Sequence, residues 1–155
     1  MTRNLKFLPF ALPETGEEEV NEVADTIRSG WLTTGPKVAQ FEIDFAQYIG
    51  TKNALAVNSA TAGLHLALEA VGIGPGDLVI TTPYTFTASA EVVRYLGAEP
   101  VFVDICCDTF NIDVGLIEKY LEKSKSTTSG KIKAIIPVHF GGQACEMRWI
   151  MEISQ

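Results

Sequence analysis

DLVITTPYTFTASAEVVRYLGAEPVFVD, residues 77–104, decides the fold. Leu78 to Thr81 is a short apolar run, too brief for a helix and rich in the branched residues that strands favour. Ala88 to Leu96 carries apolar residues at helical spacing, and Pro100 to Asp104 is a second apolar run. Strand, helix and strand in succession predict a βαβ unit, whose two strands lie parallel in one sheet. Working outward, the same rhythm repeats. Upstream, Ala54 to Val57 reads as a short buried strand, Thr61 to Val71 as a helix and Gly74 to Asp77 as a turn. Downstream, Val114 to Lys123 predicts a helix, Ile132 to Val138 a strand, and Glu146 to Gln155 a further helix. The polar stretch Ser124 to Gly130 reads as a surface loop between them. The expected class is α/β, a mostly parallel sheet with helices on both faces.

Two helices are predicted ahead of the βα units. The first starts near Thr15, a candidate N-cap with Glu18 three residues on, and ends at Ser29-Gly30. Its apolar positions are Val20, Val23, Ala24 and Ile27. The second follows Gly35, with Pro36 at its start and Val38, Phe41, Phe45 and Ile49 along one face.

Composition narrows the partners. The 155 residues carry 12 Lys plus Arg against 19 Asp plus Glu, a net charge of −7, which argues against nucleic acid because phosphate backbones are held by clustered cations. Lys119, Lys123 and Lys125 alternate with Glu118 and Glu122, the pattern of a solvated helix face. No apolar run approaches the ~20 residues of a membrane span. Arg3 and Lys6 precede an apolar stretch, Phe7 to Leu12, that is too short for a leader and is interrupted by Pro9. Cys106, Cys107 and Cys145 lack metal or CxxC spacing and read as ordinary thiols of a reducing compartment, so the expected location is cytoplasmic.

In a parallel sheet, ligands bind where the chain leaves the carboxyl ends of the strands. Three such loops carry candidate chemistry. Asn58-Ser59-Ala60-Thr61 opens a helix with small and hydroxyl residues, which suits a phosphate on the helix N-terminus or a simple cap. Thr82 to Thr87 brings Tyr84 and Phe86, which either offer a flat face to a planar ring or cover the sheet end. His139 to Gln143 sets a histidine beside a glycine pair, for acid–base work or structure. His65, within an apolar helix, reads as a packed side chain. Asp104 either orients a ligand or caps its turn. No GK[ST], GxSxG, HExxH or GxGxxG motif is present. From the residues alone the chain is a phosphate-compatible α/β domain.

Ser29 to Val38 (SGWLTTGPKV), Asn58 to Ala62 (NSATA), Gly72 to Asp77 (GIGPGD), Thr82 to Thr87 (TPYTFT), Pro100 to Asp104 (PVFVD), Thr109 to Asp113 (TFNID) and Pro137 to His139 (PVH) occur in one order. That succession, from about Pro9 to Gln155, resembles the DegT/DnrJ-type sugar aminotransferases. The resemblance implies the large domain of the pyridoxal-phosphate transferase fold in α-β-α layers, and transfer of an amino group from glutamate to a nucleotide-linked keto sugar. Such chemistry serves amino-sugar and surface polysaccharide synthesis, in a cytoplasmic homodimer. Residue by residue, it implies that Ser59, Ala60 and Thr61 hold the cofactor phosphate and that Phe86 stacks on the pyridine ring, with Tyr84 as fallback. Trp31, Thr33 and Thr34 would lie near the substrate. It implies no catalytic lysine here: the Schiff-base lysine, the carboxylate for the pyridine nitrogen and the small C-terminal domain would fall beyond Gln155. Residues 1–155 would then be the N-terminal part of the cofactor-binding domain, with helical segment 1–50 and βα units 51–155, inactive and marginally stable alone. A dehydratase of the same fold, or a noncatalytic module for a phosphorylated ligand, is the alternative.

Overall fold

The computed structural model describes residue 7, residue 9, residues 11–127 and residues 130–155. Arg3 and Lys6, on which the leader reading turned, lie outside these residues. The described chain divides into two units, residues 1–56 and 57–155.

The first unit holds α1 (Glu17–Ser29) and α2 (Pro36–Ile49). Both end on glycines in the left-handed region, Gly30 at φ 72°, where the sequence predicted the end of α1, and Gly50 at φ 78°. Pro36 occupies the first turn of α2, where a missing N–H costs nothing. The start of α1 is one residue later than the sequence suggested. Gly16, not Thr15, is the N-cap, and the Glu19 carboxylate, not that of Glu18, accepts the Gly16 N–H at 2.6 Å. That bond holds the Glu19 carboxyl below its ordinary pKa. Glu17, Glu18 and Glu19 in a row had left the register open. The apolar stripe of α1 stays exposed at Val20, Val23 and Ile27, as does that of α2 at Phe41, Phe45 and Ile49.

Residues 54–57 are not a strand. Strand geometry persists where a neighbour takes up the backbone polar groups, and among the described residues none pairs with this segment. The Ala56 N–H goes instead to the Glu42 carboxylate at 2.8 Å, and Leu55 is exposed.

The second unit runs α3 (Ala60–Ala70), β1 (Asp77–Thr81), α4 (Ala88–Tyr95), β2 (Glu99–Phe102), α5 (Val114–Thr127), β3 (Lys131–Ile135) and α6 (Met147–Ile153). These three strands, in the order β2-β1-β3, are all parallel, and the parallel pairing is what the βαβ reading required. Strands β2 and β3 are shorter at their carboxyl ends than predicted. Helix α5 is longer: Ser124 to Thr127, expected in a loop, continue the helix, with the Ser124 hydroxyl bonded to the Leu121 carbonyl at 2.9 Å. Thr128 and Ser129, the middle of that expected loop, lie outside the described residues.

Strand β1 is the spine. Val79 faces α3 and α4, where it packs with Leu68, Val92, Val93 and Ala98. Ile80 faces α5 and α6, packing with Val103, Ile112, Ile117 and Ile150. Alternation along one strand thus builds two cores and three layers. Helix α3 ends in the turn that feeds the amino end of β1, so it runs back along the strand. Eleven helical residues and five strand residues each span about 16 Å. Helix α3 therefore begins near the carboxyl edge of the sheet, where α4 also begins.

The opposite edge is clasped by charge. A bulge in β3 at Lys133 swings this residue out of register. Its ammonium meets the Asp77 carboxylate at 3.1 Å and donates to the Gly72 carbonyl. Asp77 also accepts the Gly74 N–H at 2.9 Å, and this bond first, then Lys133, lowers its pKa. A lowered folded-state pKa contributes stability above the unfolded value, about 3.9 for aspartate, that is lost as pH falls through the folded value. Urea midpoints should therefore decline on acidification below about pH 5, and the Asp77→Asn variant should show a shallower decline. Equal pH slopes in the two proteins would count against this clasp.

Candidate functional site

Ser59 opens α3 in an extended conformation, and its hydroxyl accepts the Ala62 N–H at 3.1 Å. The Ser59 carbonyl takes the Gly63 N–H. Among the described residues, the N–H groups of Ala60 and Thr61 have no protein acceptor. They point along the helix axis, at the positive end of the dipole, in the turn that also carries Thr61. Ala60 is exposed and small, and residues 57–63 carry no acid. Ser59 is thus a cap, and its capping leaves two N–H donors beside it. The donor set fits a phosphate monoester.

The β1 exit loop is pinned along its length. The Thr81 hydroxyl donates to the Ile136 carbonyl, Thr82 accepts the Tyr84 N–H, and Thr85 pairs with Ser89 at 2.9 Å. Tyr84 and Phe86 part company on this frame. Tyr84 packs against Phe140 and Phe110, with ring centroids at 4.8 and 5.8 Å. Phe86 is 79% exposed and borders a cleft of about 410 Å³ shared with Pro83, Tyr84, His139 and Phe140. A flat ring face beside an open cleft suits a planar heterocycle, so the residues present fit both halves of a phosphorylated pyridine.

His139 lies on that cleft. Its Nδ1 accepts the Cys145 N–H at 3.1 Å, which leaves Nε2 to carry the ring N–H. Burial pushes the Cys145 thiol up in pKa. His65 meets the Tyr95 ring edge-on at 5.7 Å and packs α3 on α4. Asp104 caps its own turn through the Ile105 N–H at 2.8 Å. The loops at residues 57–61, 82–87, 103–113 and 136–146 contain no lysine, and Lys133 is committed to the opposite edge.

Trp31, Thr33 and Thr34 come together in the first unit, around a cleft of about 500 Å³ between α1 and α2. The Trp31 indole donates to the Thr34 carbonyl at 2.9 Å and lies on Gly35, where a Cβ would meet the indole nitrogen at 2.2 Å. Trp31 is exposed and does not anchor this segment in a core.

Sequence reasoning passed over Asn111. This buried residue donates to the Gln143 and Ala144 carbonyls at 3.2 and 3.0 Å and accepts the Phe140 N–H at 3.0 Å. Its neighbour Phe110 holds φ 60°, a conformation that costs a bulky residue about 1–3 kcal/mol. The signal was an aromatic in each exit loop, Tyr84, Phe110 and Phe140, visible only once the strands are aligned.

The model of the DegT/DnrJ/EryC1/StrS aminotransferase family matches residues 13–155. The chain is 51% identical over 149 residues to the spore coat polysaccharide biosynthesis protein SpsC of Bacillus subtilis, covering 96% of this chain and 36% of SpsC. It superposes with a TM-score of 0.83 on a DegT/DnrJ/EryC1/StrS aminotransferase from Brucella abortus, at 36% identity, over 89% of this chain and 37% of that one. NtdA of Bacillus subtilis, solved with bound cofactor PMP, matches with a TM-score of 0.79 and 30% identity over 99% of this chain and 35% of its own. The chain spans little more than a third of the length of the curated relatives it matches.

Proposed function

The chain belongs to the DegT/DnrJ/EryC1/StrS aminotransferase family, and from that premise we propose that it supplies the phosphate and ring sites of a pyridoxal-phosphate sugar aminotransferase. The observation that carries this reading is the first turn of α3, with two unclaimed N–H groups and the Thr61 hydroxyl at the sheet edge that Phe86 shares. Ser59, Ala60 and Thr61 bind the phosphate; Phe86 stacks on the ring and sets its plane. When bound, the cofactor offers an electron sink for bonds broken next to nitrogen. His139 borders the same cleft and offers it the Nε2 N–H.

The amino acceptor in this reading is a keto sugar on a nucleotide, and glutamate is the donor. Trp31, Thr33 and Thr34 contact the sugar substrate, and the working protein is a cytoplasmic homodimer. SpsC, named for polysaccharide biosynthesis, supports the sugar, and the aminotransferase from Brucella abortus supports amino transfer over dehydration. The lysine that bonds the cofactor lies outside residues 1–155 in this scheme, in keeping with the lysine-free exit loops.

Borohydride treatment of the 155-residue chain with pyridoxal phosphate tests the assignment. The cofactor should bind without covalent attachment, and peptide mapping should find no specifically labelled lysine. Glutamate should not aminate a keto sugar nucleotide in its presence. A single labelled lysine would refute the division of labour. Titration that detects a nucleotide but no pyridoxal phosphate would replace the reading with a noncatalytic binding module.

A further inference from the structure

We propose that Asn111 is a positioning residue for the ring cleft, a role that rests on the functional reading above. One buried amide reaches from the β2 exit loop to both ends of the β3 exit turn: Oδ1 takes the Phe140 N–H, and Nδ2 serves the Gln143 and Ala144 carbonyls. The orientation of the amide follows from its partners, since only Nδ2 can donate to two carbonyls. The residue before it continues the tie. Phe110, turned outward by its positive φ, places its ring 5.6 Å from Phe140 and 5.8 Å from Tyr84, while Tyr84 and Phe140 approach to 4.8 Å.

Each of the three strands thus sends one ring to a single aromatic cluster, and Asn111 locks two of the three loops by hydrogen bonds. The third loop, from β1, is held to them through Tyr84, two residues before Phe86. Phe86 and Phe140 border the same cleft. Its width therefore depends on a side chain that lines no part of it. Phosphate binding does not: Ser59 to Thr61 rest on the cap of α3, which Asn111 does not touch.

That separation gives the test. Asn111→Asp removes both donors and sets a carboxylate oxygen against two carbonyls. In the full chain, affinity for pyridoxamine phosphate should fall about tenfold, the loss of a buried hydrogen-bonded tie, while affinity for inorganic phosphate, read by competition, stays unchanged. Resonances of the Tyr84 ring, assigned with Tyr84→Phe, should move as the ring currents of Phe110 and Phe140 withdraw. Tyr84→Leu, which leaves every hydrogen bond of Asn111 in place, should weaken pyridoxamine phosphate selectively as well. Unmoved Tyr84 resonances with unchanged affinity would overturn the proposal. So would parallel loss of both ligands with a collapsed urea midpoint, the mark of general unfolding. If the unsubstituted chain binds no pyridoxamine phosphate, the functional reading fails by itself. The Tyr84 resonances then decide: displacement in Asn111→Asp upholds the tie, and their constancy rejects it.

Discussion

Ala60→Asp is expected to abolish measurable binding of pyridoxal phosphate while leaving the fold at full stability. Position 60 is the first residue of α3 and is exposed, so the side chain fits without a clash. A carboxylate there satisfies the helix dipole and should, if anything, strengthen the helix. It also stands where the proposed phosphate would sit. Two like charges about 4 Å apart repel by about 4 kcal/mol at an effective dielectric of 20, roughly a thousandfold in affinity. Thr61→Val, which removes one hydrogen bond to a charged group, should cost less, about 1.5–3 kcal/mol. Titration calorimetry paired with urea unfolding reads both effects. Undiminished binding in Ala60→Asp would return Ser59 to Thr61 to the plain role of a helix cap.

Ile80→Ala should produce the largest loss of stability, about 2–5 kcal/mol. Ile80 is fully buried and is the only β1 residue in the core between the sheet and helices α5 and α6. Truncation leaves a void that Val103 and Ile117 cannot fill, because both are themselves held on regular or paired backbone. Against the 5–15 kcal/mol typical of a small domain, such a loss approaches the threshold for folding. The urea midpoint should fall with little change in slope. A shift below about 1 kcal/mol would mean that this face of the sheet is not a packed core.

Most of the architecture was legible because period and punctuation agreed. The runs at Leu78 and Pro100 flank a helix of the right length, and Gly30 closes α1 where predicted. Residues 54–57 failed for a reason that composition does not carry: an apolar run becomes a strand only beside a partner. The start of α1 slipped by one residue because three glutamates offer three capping registers. At the candidate site, Ser59 and Thr61 could be picked out as hydroxyl residues at a predicted helix start, and Phe86 from family pattern. Asn111 could not be found that way, since its partners lie on a loop about thirty residues downstream, and sequence spacing does not report contacts between separate crossovers.

The central place of β1 bears on how the protein is made. Of the three described strands, the first to leave the ribosome finishes in the middle, so both of its flanks are needed. One flank is filled soon, by β2, but the other waits until Lys131 to Ile135 have been synthesised. At about 5–20 residues per second, that delay amounts to seconds during which a nascent Leu-Val-Ile segment offers an unpaired side to any neighbouring chain. Slower initiation, which spaces nascent chains apart along the message, should therefore raise the soluble yield.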